Sequence, residues 1–243
     1  MNSPSLSSRH PTALRLRRLC PVLAAALVPV VLLAGVYAAR GVAPFGPNSL
    51  FFGDMDGQYS HFLADFSELF GRGLFYTWHK ALGGETLSWA AYYLFSPFNF
   101  LVLLFPTAQM PTAVTLLTLA KAGCAGLSMN LFLRRRVGGW LPVPLSWAWA
   151  LSGYLLGFSQ NIMWMDALIA LPLIAWGIRR ILDGRSPWLY LLSLAAGIFC
   201  CYYIGWMLCL YSLLYFLFGL AGGSAAGHKG RAAGRFALAS LLA

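Results

Sequence analysis

Long apolar stretches alternate with short basic ones along this chain. Residues 20–39 are almost wholly apolar and long enough to cross a bilayer as one helix. The same pattern predicts further spans over 112–133, 140–158 and 167–181. Two more follow in "SPWLYLLSLAAGIFC" and "YIGWMLCLYSLLYFLFGL", joined by a tight turn near Tyr202 and Tyr203. "FALASLLA", residues 236–243, opens a seventh. "SPFNFLVLLFP", bounded by Pro97 and Pro106, is too short to cross a bilayer and predicts an interfacial or re-entrant helix. The fold expected is an all-α polytopic membrane protein of about six spans plus the start of a seventh.

Composition agrees. Hydrophobic residues make up 59% of the 243 and charged residues 10%, with mean hydropathy +0.69, against roughly a quarter charged in soluble domains. The net charge of +10 does not point to nucleic acid. Arg9, Arg15, Arg17, Arg18, Arg134, Arg135, Arg136, Arg179, Arg180, Arg185, Lys229, Arg231 and Arg235 fall in clusters between alternate spans, as the positive-inside rule requires. The N-terminus is therefore expected in the cytoplasm. A signal peptide cleaved after "VYA" is the rival reading of the first span, although the later spans make an uncleaved anchor adequate. The organisation expected is a basic tail (1–19), a first span (20–39), a large outer loop (40–111), spans two to six (112–221), a cytoplasmic linker (222–235) and a truncated seventh helix (236–243). The five cysteines lie in or beside apolar stretches without a C-x-x-C pair, so they read as packing residues rather than zinc ligands or a disulfide framework.

Charge then singles out the outer loop. Asp54, Asp56, Asp65, Glu68 and Glu85, five of the seven acids, lie there. A helix starting near Gly57 would place Gln58, His61, Asp65 and Glu68 on one face and Tyr59, Phe62, Phe66 and Leu69 on the other. That is an amphipathic helix lying on the membrane surface, ended by Gly71 and Gly73. Asp56 sits where an N-cap belongs; Asp54 has no such duty. A carboxylate at the outer surface can take a proton from an attacking hydroxyl, or hold a divalent cation such as Mg or Mn that neutralises a phosphate leaving group.

Three other features carry candidate chemistry. Lys121 lies halfway along the second span, where a charge needs a partner or water. It either snorkels to an interface or contacts a lipid phosphate or an acid inside the bundle. Asp166 opens the fourth span and either caps it or joins a site. His61 and His79 are ligand candidates on a polar face. Tyr92, Tyr93, Tyr202, Tyr203, Trp78, Trp89 and Trp164 read first as an interfacial aromatic belt, and second as a platform for a sugar.

"GDMDGQYSHF", "ALGGETLSWAAYYLFSPFNFLVLLFP", "KAGCAGLSMNLFLRRR", "NIMWMDALIALPLIAWGIRRIL" and "CYYIGWMLCLYSLLYFL" occur in that order. Over residues 45–220 they resemble the YfhO family of bacterial membrane proteins. That family has the look of GT-C glycosyltransferases, which move a sugar from a polyprenyl-phosphate carrier to an acceptor outside the cytoplasm. The resemblance implies a GT-C-like bundle in the bacterial plasma membrane. It implies a lipid-linked donor and an envelope glycan acceptor, for example a teichoic-type polymer. It makes Asp54 the base, metal ligand or both, with Asp56 as helper. Gln58 and Tyr59 complete a D-x-x-x-Q-Y pattern. Lys121 and the turn from Asn161 to Asp166 would border the site, with His61 among the substrate contacts. Family members are longer, so the chain is expected to hold the first part of their transmembrane module. A transporter or flippase for lipid-linked sugars is the alternative; the absence of an internal repeat and the polar residues gathered on one side speak against it. A non-catalytic scaffold is the third reading.

Overall fold

The computed structural model describes residues 11–66, 75–78, 82–225 and 227–243. The expectations for Glu68, Leu69, Gly71, Gly73 and His79 fall outside them. Helix α1 spans Pro11–Ala39. The loop after it holds a wide helical turn, Met55–Tyr59, which runs directly into α2, Ser60–Ala64. A two-stranded antiparallel hairpin pairs β1, Tyr76–Thr77, with β2, Gly84–Glu85. Then come α3, Leu87–Tyr93, and a 3₁₀ segment, Pro97–Leu104, bent 92° from it. The proline-bounded stretch is thus a short helical segment sharply bent from its neighbour, the geometry of a broken span or a re-entrant loop.

Helix α4, Met110–Leu133, is the central element and packs against α1, α5 (Pro142–Ala150) and α7 (Met165–Leu182). Proline in its first turn costs no hydrogen bond there. Gly126 permits the α1 contact, since a Cβ in its place would run into the carbonyl oxygen of Ala25. Trp147 Nε1 on α5 donates to Ala24 O of α1 at 2.9 Å. Helix α7 carries Asp166 in its first turn and Arg179 and Arg180 in its last, complementing its dipole at both ends. It packs against α8, Trp188–Cys200, and α9, Tyr202–Ala221. Finally α10, Lys229–Leu242, seats Phe236 against Phe216 and Tyr190.

Four described helices are long and apolar enough to cross a membrane: residues 19–39, 107–133, 162–182 and 202–221, with the bent α3 pair a fifth if counted as one span. The remaining differences from the sequence reading have physical reasons. The third expected span breaks at Leu151 and Ser152 into α5 and the short α6, Gly153–Gly157, because the Ser152 hydroxyl caps a new helix by accepting from Leu155 N. Helix α8 has 13 residues, about 20 Å at 1.5 Å each, short of a 30 Å core. Helix α10 begins at Lys229 rather than near Phe236, taking in residues expected as linker.

The charges separate along the bundle. Arg136 reaches Tyr215, Arg179 reaches Ser224, and Arg235 donates to Gly184 O at 2.7 Å, all at the end where α4 and α7 finish. Asp54 lies at the other end, beside the start of α7.

Candidate functional site

The site begins at a glycine. Gly53 has φ +54°, and a Cβ there would lie 3.0 Å from Gln160 Oε1. Its carbonyl accepts from Asp56 N at 3.2 Å and Gly57 N at 3.3 Å, starting the helical turn that carries Asp54. The turn is wide: Ser60 N bonds to Met55 O, a step of five residues. In an ordinary helix of 3.6 residues per turn, side chains five apart point away from one another. The wider turn brings them to one side. Tyr59 is thereby set beneath Asp54, its hydroxyl 3.1 Å from Asp54 Oδ2.

The chain thus corrects the expected helix start. Asp56 lies inside the turn and caps nothing, because helical bonding already begins at Gly53. The apolar face forms as expected, but Tyr59, Leu63 and Phe66 are buried against protein: Tyr59 meets Tyr93 and Phe66 meets Phe100. The helix packs into the bundle rather than lying free on a membrane surface.

Tyr59 is 6% exposed and also reaches Asn161, 3.0 Å away at the amide. A phenol has one proton to donate. All three groups are satisfied when the Asn161 amide turns its NH₂ to the phenol oxygen and Tyr59 donates to Asp54. Burial, and then the hydrogen bond and charge of Asp54, push the Tyr59 pKa well above 10. The phenol therefore stays a donor at neutral pH. Asp54 itself is exposed, so a solvent-facing carboxylate rests on a buried, fixed donor.

A second cluster lies just behind. Lys121 is 0% exposed, and its Nζ donates to Asp166 Oδ2 at 2.8 Å and Ile162 O at 2.9 Å. It also lies 5.6 Å from the centre of the Phe98 ring. Asp166 Oδ1 accepts from Ser96 Oγ at 3.0 Å. Of the readings open for Lys121, the structure shows the acid inside the bundle. Asp166 serves as its partner at the first turn of α7.

Aromatic side chains close the site laterally. Tyr93 packs on Tyr59 at 5.3 Å and on Tyr92 at 4.4 Å; Tyr92 in turn meets Tyr202 and Tyr203. Trp164 Nε1 donates to Tyr92 OH at 3.4 Å. Both tyrosine pairs noted in the sequence thus join one cluster beside Tyr59.

The structure brings together Asp54, Tyr59 and Asn161, and separately Lys121 and Asp166, with the backbone of Asn161 and Ile162 linking the groups. Asp56, Gln58 and His61 are exposed and make no side-chain hydrogen bond among the described residues. Asp56, two positions from Asp54 on a helical turn, faces another side. Among the described residues no three His, Cys, Asp or Glu side chains gather as a metal cage. Sequence reasoning missed Gly53, Ser96, Gln160 and the Ile162 carbonyl. Gly53 had a signal in standing directly before the acid; a backbone carbonyl has none.

No curated protein and no solved structure matches the chain. The family model described as "Bacterial membrane protein YfhO" matches residues 25–243, nearly the whole sequence and all of the site described above. This bundle, with its acid-bearing turn docked at one end, therefore belongs to the YfhO family of bacterial membrane proteins.

Proposed function

We propose that this protein is a membrane glycosyltransferase that moves a sugar from a polyprenyl-phosphate donor to a hydroxyl of an envelope glycan. One observation carries the reading: an exposed carboxylate, Asp54, is held by a buried tyrosine that is itself anchored across the bundle to Asn161. Such an acid is oriented yet open to substrate, as a general base must be. Asp54 takes the proton of the acceptor hydroxyl as its oxygen bonds to the anomeric carbon. The bond from that carbon to the phosphate oxygen breaks, and the polyprenyl phosphate leaves with the electron pair.

The basic residues at the opposite end support the sidedness. By the positive-inside rule that end faces the cytoplasm, which puts Asp54 on the outer side and the N-terminus inside. The tyrosine cluster beside Tyr59 offers faces on which a sugar ring packs. Gln58 on the turn and His61 on α2, both exposed, are available to sugar hydroxyls.

The donor set also fits a divalent cation in one form. Asp54 would hold Mg or Mn together with phosphate oxygens and water, as magnesium is usually held through one or two carboxylates and substrate phosphates. Asp56 adds negative charge nearby. Bound there, the ion would neutralise the leaving phosphate.

A transporter of lipid-linked sugars is the second reading, favoured by the charged pair inside the bundle. One experiment separates them. Radiolabelled polyprenyl-phosphate sugar is supplied to the purified protein in detergent with a crude envelope fraction. Transfer by wild type and none by Asp54→Asn is expected. Equal transfer by both would move the base elsewhere. Movement of label only across sealed vesicles, with no product in detergent, would favour transport.

A further inference from the structure

Lys121 and Asp166 sit at a junction. Three hydrogen bonds define it, and two of them leave the pair for the walls of the candidate site. Lys121 Nζ holds the carbonyl of Ile162 at 2.9 Å. The preceding residue, Asn161, supplies the amide that meets Tyr59. Asp166 Oδ1 holds the Ser96 hydroxyl at 3.0 Å. Ser96 stands at the bend where α3 gives way to the 3₁₀ segment, and α3 carries Tyr93, which packs on Tyr59 at 5.3 Å. The pair therefore touches both segments that fix Tyr59. Neither side chain faces solvent as Asp54 does: Lys121 is 0% exposed and Asp166 7%.

We infer that Lys121 and Asp166 are positioning residues for Asp54, an assignment that rests on reading Asp54 as the base. They set the register of the Asn161 turn and of the α3 bend, and through Tyr59 they orient the carboxylate. Lys121 is not a ligand of the donor phosphate. The physical ground is the choice of an ion pair at all. A well-packed apolar pair of similar volume holds helices together as well as a buried salt bridge does, so stability alone gives little reason for one. What an apolar pair cannot do is bind the Ile162 carbonyl and the Ser96 hydroxyl. Those two bonds are directional, and they are the ones aimed at the site.

The double variant Lys121→Met, Asp166→Leu separates the two roles. It keeps the packing and drops the directional bonds. Three quantities are read on the purified protein: melting temperature, amide hydrogen exchange over residues 159–164, and kcat and KM for a polyprenyl-phosphate sugar. The double variant is expected to melt close to wild type. Its exchange over 159–164 rises about 10-fold or more, as for a segment released to local opening. Its kcat falls about 100-fold with KM unchanged, the usual effect of displacing a reacting group by about an ångström. Wild-type exchange over 159–164 would overturn the assignment, and so would a raised KM at constant kcat, which marks direct donor contact. Should wild type transfer no sugar from any donor, the proposed reaction fails, yet the exchange arm still decides whether the pair holds the turn. Should the double variant not fold, Ser96→Ala decides: faster exchange in α3 with lower kcat supports the assignment, and no change in either overturns it.

Discussion

Tyr59 and Asp54 are five residues apart in sequence, yet the phenol oxygen lies 3.1 Å from the carboxylate. The contact depends on a helical turn one residue wider than normal, and it converts a surface acid into an oriented one. Tyr59→Phe keeps the ring and removes the donor. A hydrogen bond to a charged group is worth about 1.5–3 kcal/mol. Sugar transfer is expected to fall about 10- to 100-fold, measured as kcat/KM, while the aromatic packing on Tyr93 holds the fold.

The same tyrosine predicts a pH effect. Its pKa is raised above 10 in the folded protein, chiefly by burial. Folding therefore favours the protonated phenol. Its contribution is complete below the unfolded value near 10, and it is lost as pH rises from there toward the folded value. Melting temperature followed from pH 9 to 12 is expected to fall less steeply in Tyr59→Phe than in wild type. Identical slopes would mean that Tyr59 ionises as freely as in the unfolded chain.

Gly53→Ala is expected to impair both fold and activity. A left-handed backbone costs a residue with a Cβ about 1–2 kcal/mol, and the new atom would press on Gln160 Oε1 at 3.0 Å. Gly53→Asn, which tolerates this conformation better, is expected to recover part of the loss in melting temperature.

Lys121→Met alone leaves the Asp166 carboxylate buried without its counter-ion. Breaking such a pair from one side typically costs about 3–5 kcal/mol. The single variant is expected to be markedly less thermostable than the variant that also carries Asp166→Leu. Equal melting temperatures would show that water reaches Asp166.

Gly126→Ala tests the α1–α4 contact. The added methyl has no space beside the Ala25 carbonyl, and overpacking costs about 1–3 kcal/mol. Loss of thermal stability is expected with little change in KM for the donor, since the contact is remote from Asp54.

Much of this was legible in the sequence. The positions of α1, α4, α7 and α9 followed from apolar length, and the shared apolar face of Tyr59 and Phe66 followed from spacing, although the sequence placed that face on a membrane surface and the structure buries it in the bundle. Lys121 stood out because a charge within a span demands a reason. Its partner was harder to see, because Asp166 lies 45 residues away and served equally well as a helix-end acid. The wide turn was not legible: the 3.6-residue period assumed for Gly57 onward places Asp54 and Tyr59 apart. Nor was the break at Ser152, where one hydroxyl outweighs a continuous apolar pattern. The bonds from Lys121 to a carbonyl and from Ser96 to Asp166 depend on tertiary approach, which no local spacing encodes.

The network around Asp54 also fixes an order of events during synthesis. Its members are dispersed from Gly53 to Asp166, so a nascent chain that has delivered only α1 and the acid-bearing turn lacks the Asn161 anchor. Tyr59 then has no far support until α7 docks beside α4. The carboxylate stays unaligned while the ribosome is still feeding the bilayer, and it gains its support only when the later helices arrive to close the circle.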